Sequence, residues 1–394
     1  MRVLLTTCGG WHLSRTAKAF EARNALAGLW LSGKNSTGVL ASYYRRCWLF
    51  HIAMKPFYHL APQIVVERMF YRLFPLWRRW IEAQPFPDCD VVQAIAGYAT
   101  EPFFEAEARG LLKVVDCPNS HPDSFRRLWQ GECDRWCPGE RVPIPDWMFD
   151  RQRRDIERAD VVLCPSLFVR DSMLEAGIPE ERCMVNPFGV DTSVFTPREV
   201  LPERPRFITT GTICVRKGHQ YLFRAFESVR RAFPDAELIV VGDYKVDFRC
   251  ERSRWEGTFT HYKFLDHSRL AQLTRECTAF VLPSVEEGFA RVIIEGMAAG
   301  LPIIATHESG ATTLVRDGEE GVIVPPRDVE ALAQAMIRLA DDKDACLRMG
   351  RAAASRGGTS NSWQEYGDRL LDCYAERLTA MRNGGVHESR PVDD

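Results

Sequence analysis

Short apolar runs rich in β-branched residues alternate along this chain with longer stretches in which apolar residues recur every three or four positions. The first pattern suits strands buried on both faces and the second suits helices that cover them, so the chain reads as repeated α/β units around parallel sheets. In the first half the strand candidates are residues 2–6, 90–95, 113–117 and 161–164. Pro187, Gly189, Pro197, Pro202 and Pro205 then crowd into residues 186–206, a density of breakers expected of an interdomain linker. Alternation restarts at 206–210 and continues through 237–241, 279–283, 302–305 and 321–324. Leu222, Phe226, Val229 and Phe233 share one face of a helix predicted over about 220–233. An amphipathic helix over 363–381 closes the pattern, and the polar tail after Asn383 is expected to fray.

A chain of 394 residues fits two domains better than one core. Two such α/β domains turn the loops at the carboxyl ends of their sheets toward one another, and ligands are expected in that crevice. The net charge of −2 gives no general bias toward nucleic acid. Locally the balance differs: residues 41–80 hold seven Arg or Lys against Glu67 alone, together with eleven aromatics that include Tyr43, Tyr44, Trp48, Phe50, Trp77 and Trp80. Such a stretch suits the interface of an anionic membrane, or else its rings fill a core while its arginines are solvated. No run without charge exceeds the twelve residues of 296–307, short of the ~20 needed to span a bilayer. The N-terminus reads as a first strand, not a signal peptide. The thirteen cysteines are therefore expected as reduced thiols of a cytoplasmic protein. Cys133 and Cys137 have no second pair at ligand spacing, so zinc is not expected.

Chemistry concentrates in three loops. In the first, a strand ends at Pro283, a turn runs through Glu287-Gly288-Phe289, and a helix opens near Ala290 and Arg291. Unpaired N–H groups at a helix start favour anions, and Glu287 and Glu295 there can accept hydrogen bonds from sugar and ribose hydroxyls. Each Glu alone reads equally as a helix-dipole partner. The second loop, Gly211-Thr-Ile-Cys-Val-Arg216-Lys217-Gly218, aims two cations where a departing nucleoside diphosphate would gain charge, or else presents a solvated pair. The third is Asp116-Cys-Pro-Asn-Ser-His121-Pro, whose histidine stands at a strand's carboxyl edge. Gly9-Gly10, after the first strand, let backbone approach a phosphate or an acceptor, or simply make a turn.

Absences narrow the class. No Gly-x-Gly-x-x-Gly follows the first strand, against a dinucleotide-dependent oxidoreductase, and no Gly-Lys-Ser/Thr loop is present, against a P-loop ATPase. Asp88-Cys-Asp90 matches the Asp-x-Asp of metal-dependent transferases but precedes its strand, so no divalent metal or other cofactor is expected.

The sequence from Met1 to about Tyr374 resembles the retaining glycosyltransferases of family 4, which have the GT-B fold of two Rossmann-like αβα domains facing across a cleft. The family's Glu-x7-Glu element stands here as Glu287 and Glu295, a spacing that excludes Glu286 as its first member. The likeness extends through Ser309-Gly310, Asp317-Gly318 and residues 321–328, and upstream through residues 159–166 and 186–197. By that resemblance residues 1–196 form the acceptor-side domain, residues 203–358 bind the donor, and the helix over 363–383 packs back on the first domain. The resemblance also implies that Glu287 contacts the donor sugar beside His121, that Glu295 holds the ribose, and that Lys217 binds the diphosphate. Backbone around Gly288, Phe289, Ala290 and Arg291 would face sugar and phosphates. Many members carry an Arg where this chain has Thr212, and Arg216 is the expected substitute. The function implied is transfer of a sugar from a nucleotide-sugar donor to a glycan or lipid-linked acceptor, with retention; the cysteines and residues 41–80 place it in the cytoplasm or on the inner membrane face. The competing readings are a nucleotide-sugar-binding protein without turnover, and a sugar-phosphate synthase or phosphorylase of the same fold.

Overall fold

The structure is a computed structural model and describes residues 1–9, 12–60, 63–357 and 362–384. Its first half is a seven-stranded parallel sheet with β1 at Val3–Thr7, β2 at Leu26–Leu31, β3 at Tyr44–Arg46, β4 at Val91–Ile95, β5 at Leu112–Asp116, β6 at Val161–Cys164 and β7 at Cys183–Val185. The strands lie in the order β3-β2-β1-β4-β5-β6-β7. The second half is a six-stranded parallel sheet with β8 at Arg206–Thr210, β9 at Glu237–Val241, β10 at Thr260–Tyr262, β11 at Ala279–Leu282, β12 at Ile303–Thr306 and β13 at Gly321–Val324, in the order β10-β9-β8-β11-β12-β13. In each sheet the order reverses direction at its first strand, so a crevice opens at the carboxyl ends beside β1 and β8.

The central strands coincide with the apolar runs to within a residue at each end. No strand or α-helix lies between Val185 and Arg206. Four strands were not visible in the apolar pattern. β2 reads Leu-Ala-Gly-Leu-Trp-Leu without a β-branched residue, and β3, β7 and β10 are each three residues long.

The two halves are joined closely. The helix Pro122–Trp136 leaves the first sheet but places Phe125, Trp129 and Cys133 among the core residues of the second. Burying each large ring contributes ~1.5–3 kcal/mol. The buried carboxylate of Glu132 accepts hydrogen bonds from Gln220 Nε2 at 3.0 Å, Tyr221 Oη at 2.8 Å and Arg327 Nε at 2.6 Å. Trp129 Nε1 donates to Asp247 Oδ2 at 2.9 Å.

One expectation from the sequence is overturned here. Cys137, at the end of this helix, forms a disulfide with Cys250, their Cα atoms 5.4 Å apart across 113 residues of chain. The expectation of thirteen reduced thiols fails at this pair because tertiary packing brings the partner in, and Cys133 itself is a buried free thiol.

The last helix, Trp363–Gly384, lies against the helix Leu13–Ala22 of the first half. Tyr374 Oη donates to Gln93 Oε1 at 2.9 Å, Gln93 Nε2 donates to Asp116 Oδ2 at 3.0 Å, and His12 Nε2 lies 2.7 Å from the same oxygen. This buried chain of polar groups ties the helix to the carboxyl edge of β4 and β5. Among the described residues no helix is long and apolar enough to cross a membrane.

Candidate active site

The turn after β11 is held from three directions. Glu287 N donates to Glu308 O at 2.8 Å, Val285 N donates to Arg216 O at 2.9 Å, and Ser166 Oγ of the first half donates to Gly288 O at 2.5 Å. Gly288 is required by close approach: a Cβ there would lie 1.9 Å from Pro118 O. The Glu287 turn therefore sits directly on the loop that carries His121. Ala290, the residue before the helix Arg291–Ala298, gives it no side-chain cap, and its first turn holds no acid. The helix start thus keeps donors and a positive dipole end available to an anion.

Lys217 reaches this turn from the loop after β8. Gly218 follows it with φ +72°, and a Cβ at that glycine would meet Pro283 O at 1.9 Å, so only glycine lets the loop dock beneath the turn. Lys217 Nζ lies 3.0 Å from Glu287 Oε2. Burial pushes the Glu287 carboxyl up, but Lys217 and then Arg216 outweigh it and hold the group below its ordinary value. Oε2 receives no well-aligned hydrogen bond from the described residues, which leaves an acceptor for a substrate hydroxyl.

Arg216 sits otherwise than the sequence suggested. Its Nη1 is 2.7 Å from Glu286 Oε2 and donates to Glu286 O at 2.6 Å, and its guanidinium faces the rings of Phe125 and Trp129 at 5.7 and 5.5 Å. Glu286 is fully buried, and its Oε1 accepts from Ser120 N at 3.2 Å and Ser120 Oγ at 2.9 Å. Arg216 and Glu286 thus form a strut between the two halves.

His121 caps the helix Pro122–Trp136: its Nδ1 accepts from Asp123 N at 3.4 Å, and its own N–H donates to Ser172 Oγ at 2.8 Å. Burial lowers its pKa, so the ring is neutral at neutral pH. Glu295 lies one turn into the helix Arg291–Ala298. Burial raises its carboxyl, opposed by His267, Arg291 and Arg15. Arg291 is lowered by burial and next by Arg15, which comes from the first half and stacks over Trp363 at 5.4 Å. Phe289 and Ala290 are buried, Phe289 against Phe188 with ring centroids 5.8 Å apart, so only their backbone is free to face a ligand. Gly10 lies outside the described residues.

The structure therefore brings Glu287, Lys217, Gly288 and the His121 loop together, with Arg291 and Glu295 on the adjoining helix. Sequence reasoning missed Ser120, Ser166 and Arg15. Each contributes through a partner in the other half, and no local spacing announces it.

Two family models match the chain: "Glycosyltransferase Family 4" over residues 56–194 and "Glycosyl transferases group 1" over residues 204–342, together about 70% of its length. Among curated relatives, the D-inositol 3-phosphate glycosyltransferase of Paenarthrobacter aurescens is 28% identical over 261 residues, covering 62% of this chain and 64% of that protein. The alpha-D-kanosaminyltransferase of Streptomyces kanamyceticus is 27% identical over 321 residues, covering 76% and 78%. The first of these matches thus spans less than two thirds of the relative's own length. Among solved structures, sucrose-phosphate synthase from Thermosynechococcus elongatus superposes with a TM-score of 0.68 at 18% identity, over 96% of this chain and 100% of that one. HepE of Anabaena in complex with UDP gives 0.67 at 15% identity, over 95% and 100%. These neighbours share the two-sheet GT-B architecture, and the paired family models account for both halves of the sequence: the chain belongs to the group 1, family 4 glycosyltransferases.

Proposed function

We propose that this protein transfers a glycosyl group from a nucleoside diphosphate sugar to an acceptor hydroxyl with retention at the anomeric carbon. The observation that carries the reading is the Lys217–Glu287 pair at an uncapped helix start, where cation, carboxylate and helix dipole converge on one spot in the crevice. The donor's diphosphate would lie against Lys217 and the backbone of residues 288–291, its ribose on Glu295, and its sugar between Glu287 and the His121 loop. As the bond from the anomeric carbon to the diphosphate breaks, its electron pair leaves with the phosphate. Lys217 then exchanges its ion pair with Glu287 for the growing phosphate charge, and Glu287 stabilises the oxocarbenium-like sugar. The acceptor oxygen attacks from the face the phosphate is leaving, and a phosphate oxygen takes its proton. His121, neutral, is suited to a hydrogen bond with the sugar and not to charge pairing.

The chemistry needs no divalent metal in this reading. Asp90 lies at the amino edge of β4, and its Oδ2 accepts from Arg2 N at 2.7 Å, away from the crevice. The acceptor is a glycan or a lipid-linked molecule, and the protein works at the cytoplasmic face of a membrane. Residues 41–80 support that placement in part. Phe50, Met54, Phe74 and Trp77 fill the core, while Trp48, Leu49, Ile52 and Tyr58 are 52–72% exposed beside the exposed Arg45 and Lys55. A panel of UDP-, GDP- and ADP-sugars tests the reading: one base should bind and be released as the diphosphate in the presence of acceptor. Failure of every member to bind would remove it.

A further inference from the structure

A groove of about 710 Å³ runs between the helix Gln63–Glu82 and the segment 139–147. Arg68, Arg72 and Arg141 rim it, all exposed, and none has an ion pair or hydrogen bond with a described residue. The nearby acids are engaged elsewhere: Glu67 holds Lys245 at 2.9 Å, Glu140 holds Arg249 at 2.6 Å, and Asp146 holds Arg126 at 2.7 Å. Glu140 also lines the groove but is ion-paired with Arg249, so the three guanidinium groups leave it net positive, and an anion seated among them balances that charge. Val65, Met69, Val142 and Trp147 give the groove an apolar wall.

The groove points to the active site. Its wall residues Tyr71 and Ile144 also line a smaller cavity of about 80 Å³, whose far side is Cys117, Asn119 and Ser120. That is the loop on which the Glu287 turn rests. The Tyr71 ring is held edge-on to Trp147 at 6.0 Å, its hydroxyl is kept neutral by burial, and that hydroxyl has no hydrogen-bond partner among the described residues. The preceding helix, Trp48–Leu60, packs on the same arginine-bearing helix and presents the exposed Trp48, Leu49 and Ile52.

We infer that this groove is the acceptor site and that the acceptor is an amphiphile bearing a phosphate. Its phosphate sits among Arg68, Arg72 and Arg141, its alkyl chain lies on Val65, Met69, Val142 and Trp147, and its hydroxyl-bearing end passes Tyr71 toward the 117–121 loop. The assignment rests on the transferase reading for the word acceptor, but the groove's ligand chemistry can be tested without turnover. Calorimetry with monomeric dodecyl phosphate, with dodecanol and inorganic phosphate as separate arms, reads it directly. Dodecyl phosphate should bind the wild type and bind the R68Q/R72Q/R141Q variant about 30-fold more weakly or worse, since three charge-assisted contacts are lost. Nucleoside diphosphate affinity should be unchanged in that variant, which certifies its fold. Dodecanol and inorganic phosphate should each bind at least ~10-fold more weakly than the amphiphile, which carries both the apolar and the charged contact. Equal binding of dodecyl phosphate by wild type and variant, no binding by the wild type, or inorganic phosphate binding as tightly as the amphiphile would each overturn the inference. Absence of nucleoside diphosphate binding by both proteins would instead count against the donor reading, and the variant's fold would then be certified by its thermal transition.

Discussion

Lys217 Nζ stands 3.0 Å from Glu287 Oε2, so the cation assigned to the leaving group and the carboxylate assigned to the sugar neutralise each other until a donor arrives. Replacing Lys217 by alanine should therefore weaken nucleoside diphosphate binding by about 10- to 100-fold, the ~1.5–3 kcal/mol of a hydrogen bond to a charged group. Nucleoside affinity should stay close to wild type. Calorimetry with the two ligands separates these effects, and equal losses for both would make Lys217 structural.

Its neighbour Arg216 should behave in the opposite manner. Removing it leaves the fully buried Glu286 carboxylate with Ser120 alone, an uncompensated charge that costs ~3–5 kcal/mol. Arg216→Ala should lower Tm by several degrees or prevent folding, whereas Lys217→Ala should lower it less, because Glu287 is partly exposed and keeps Arg216 at 4.0 Å. Thermal scans of both variants decide between a strut and a phosphate ligand.

His219 sets an acid limit on stability. Burial pushes its pKa down from 6.5 to about 3, with Nδ1 3.3 Å from Cys214 O. The unfolded chain takes up this proton below about pH 6.5 and the folded one does not. The contribution is full above that pH and is lost as pH falls toward 3. Denaturant titrations of wild type and His219→Gln between pH 7 and 5 should show the wild type losing more stability. Parallel curves would mean the ring titrates freely in the folded state.

The Cys137–Cys250 disulfide crosses between the halves, and eleven other cysteines are free thiols. Thiol titration of the unfolded, unreduced protein should therefore find eleven groups and not the thirteen of the sequence. Reduction should lower Tm, the loss of a long closed loop being worth ~2–4 kcal/mol. A count of thirteen would show both cysteines reduced.

Much of this was legible in the chain because its signals are local. β6, β8, β9 and β13 coincide with the strands expected from short runs rich in β-branched and apolar residues, and Glu287 and Lys217 lie on loops whose neighbouring residues fix their conformation. β2 was not legible because its leucines, alanine and glycine carry no strand preference of their own, and parallel pairing with β1 and β3 alone makes it extended. The role of Arg216 was hidden for a related reason. Its partner Glu286 lies 70 residues on, and Ser120, which completes the strut, is 166 residues from that glutamate. Two adjacent basic residues look alike in sequence, and only the packing of the halves gives Arg216 to the buried Glu286 and Lys217 to Glu287.

Glu287 is the residue whose removal tests the proposed transfer most directly. With the donor identified, transfer to acceptor and donor affinity should be measured side by side for wild type and Glu287→Ala. A group that acts on the reacting sugar and not on the bound nucleotide should, when removed, lower turnover by ~10² or more. Donor affinity should change little and the folding transition should be intact. A well-folded Glu287→Ala protein that transfers sugar at near wild-type rate would contradict the account.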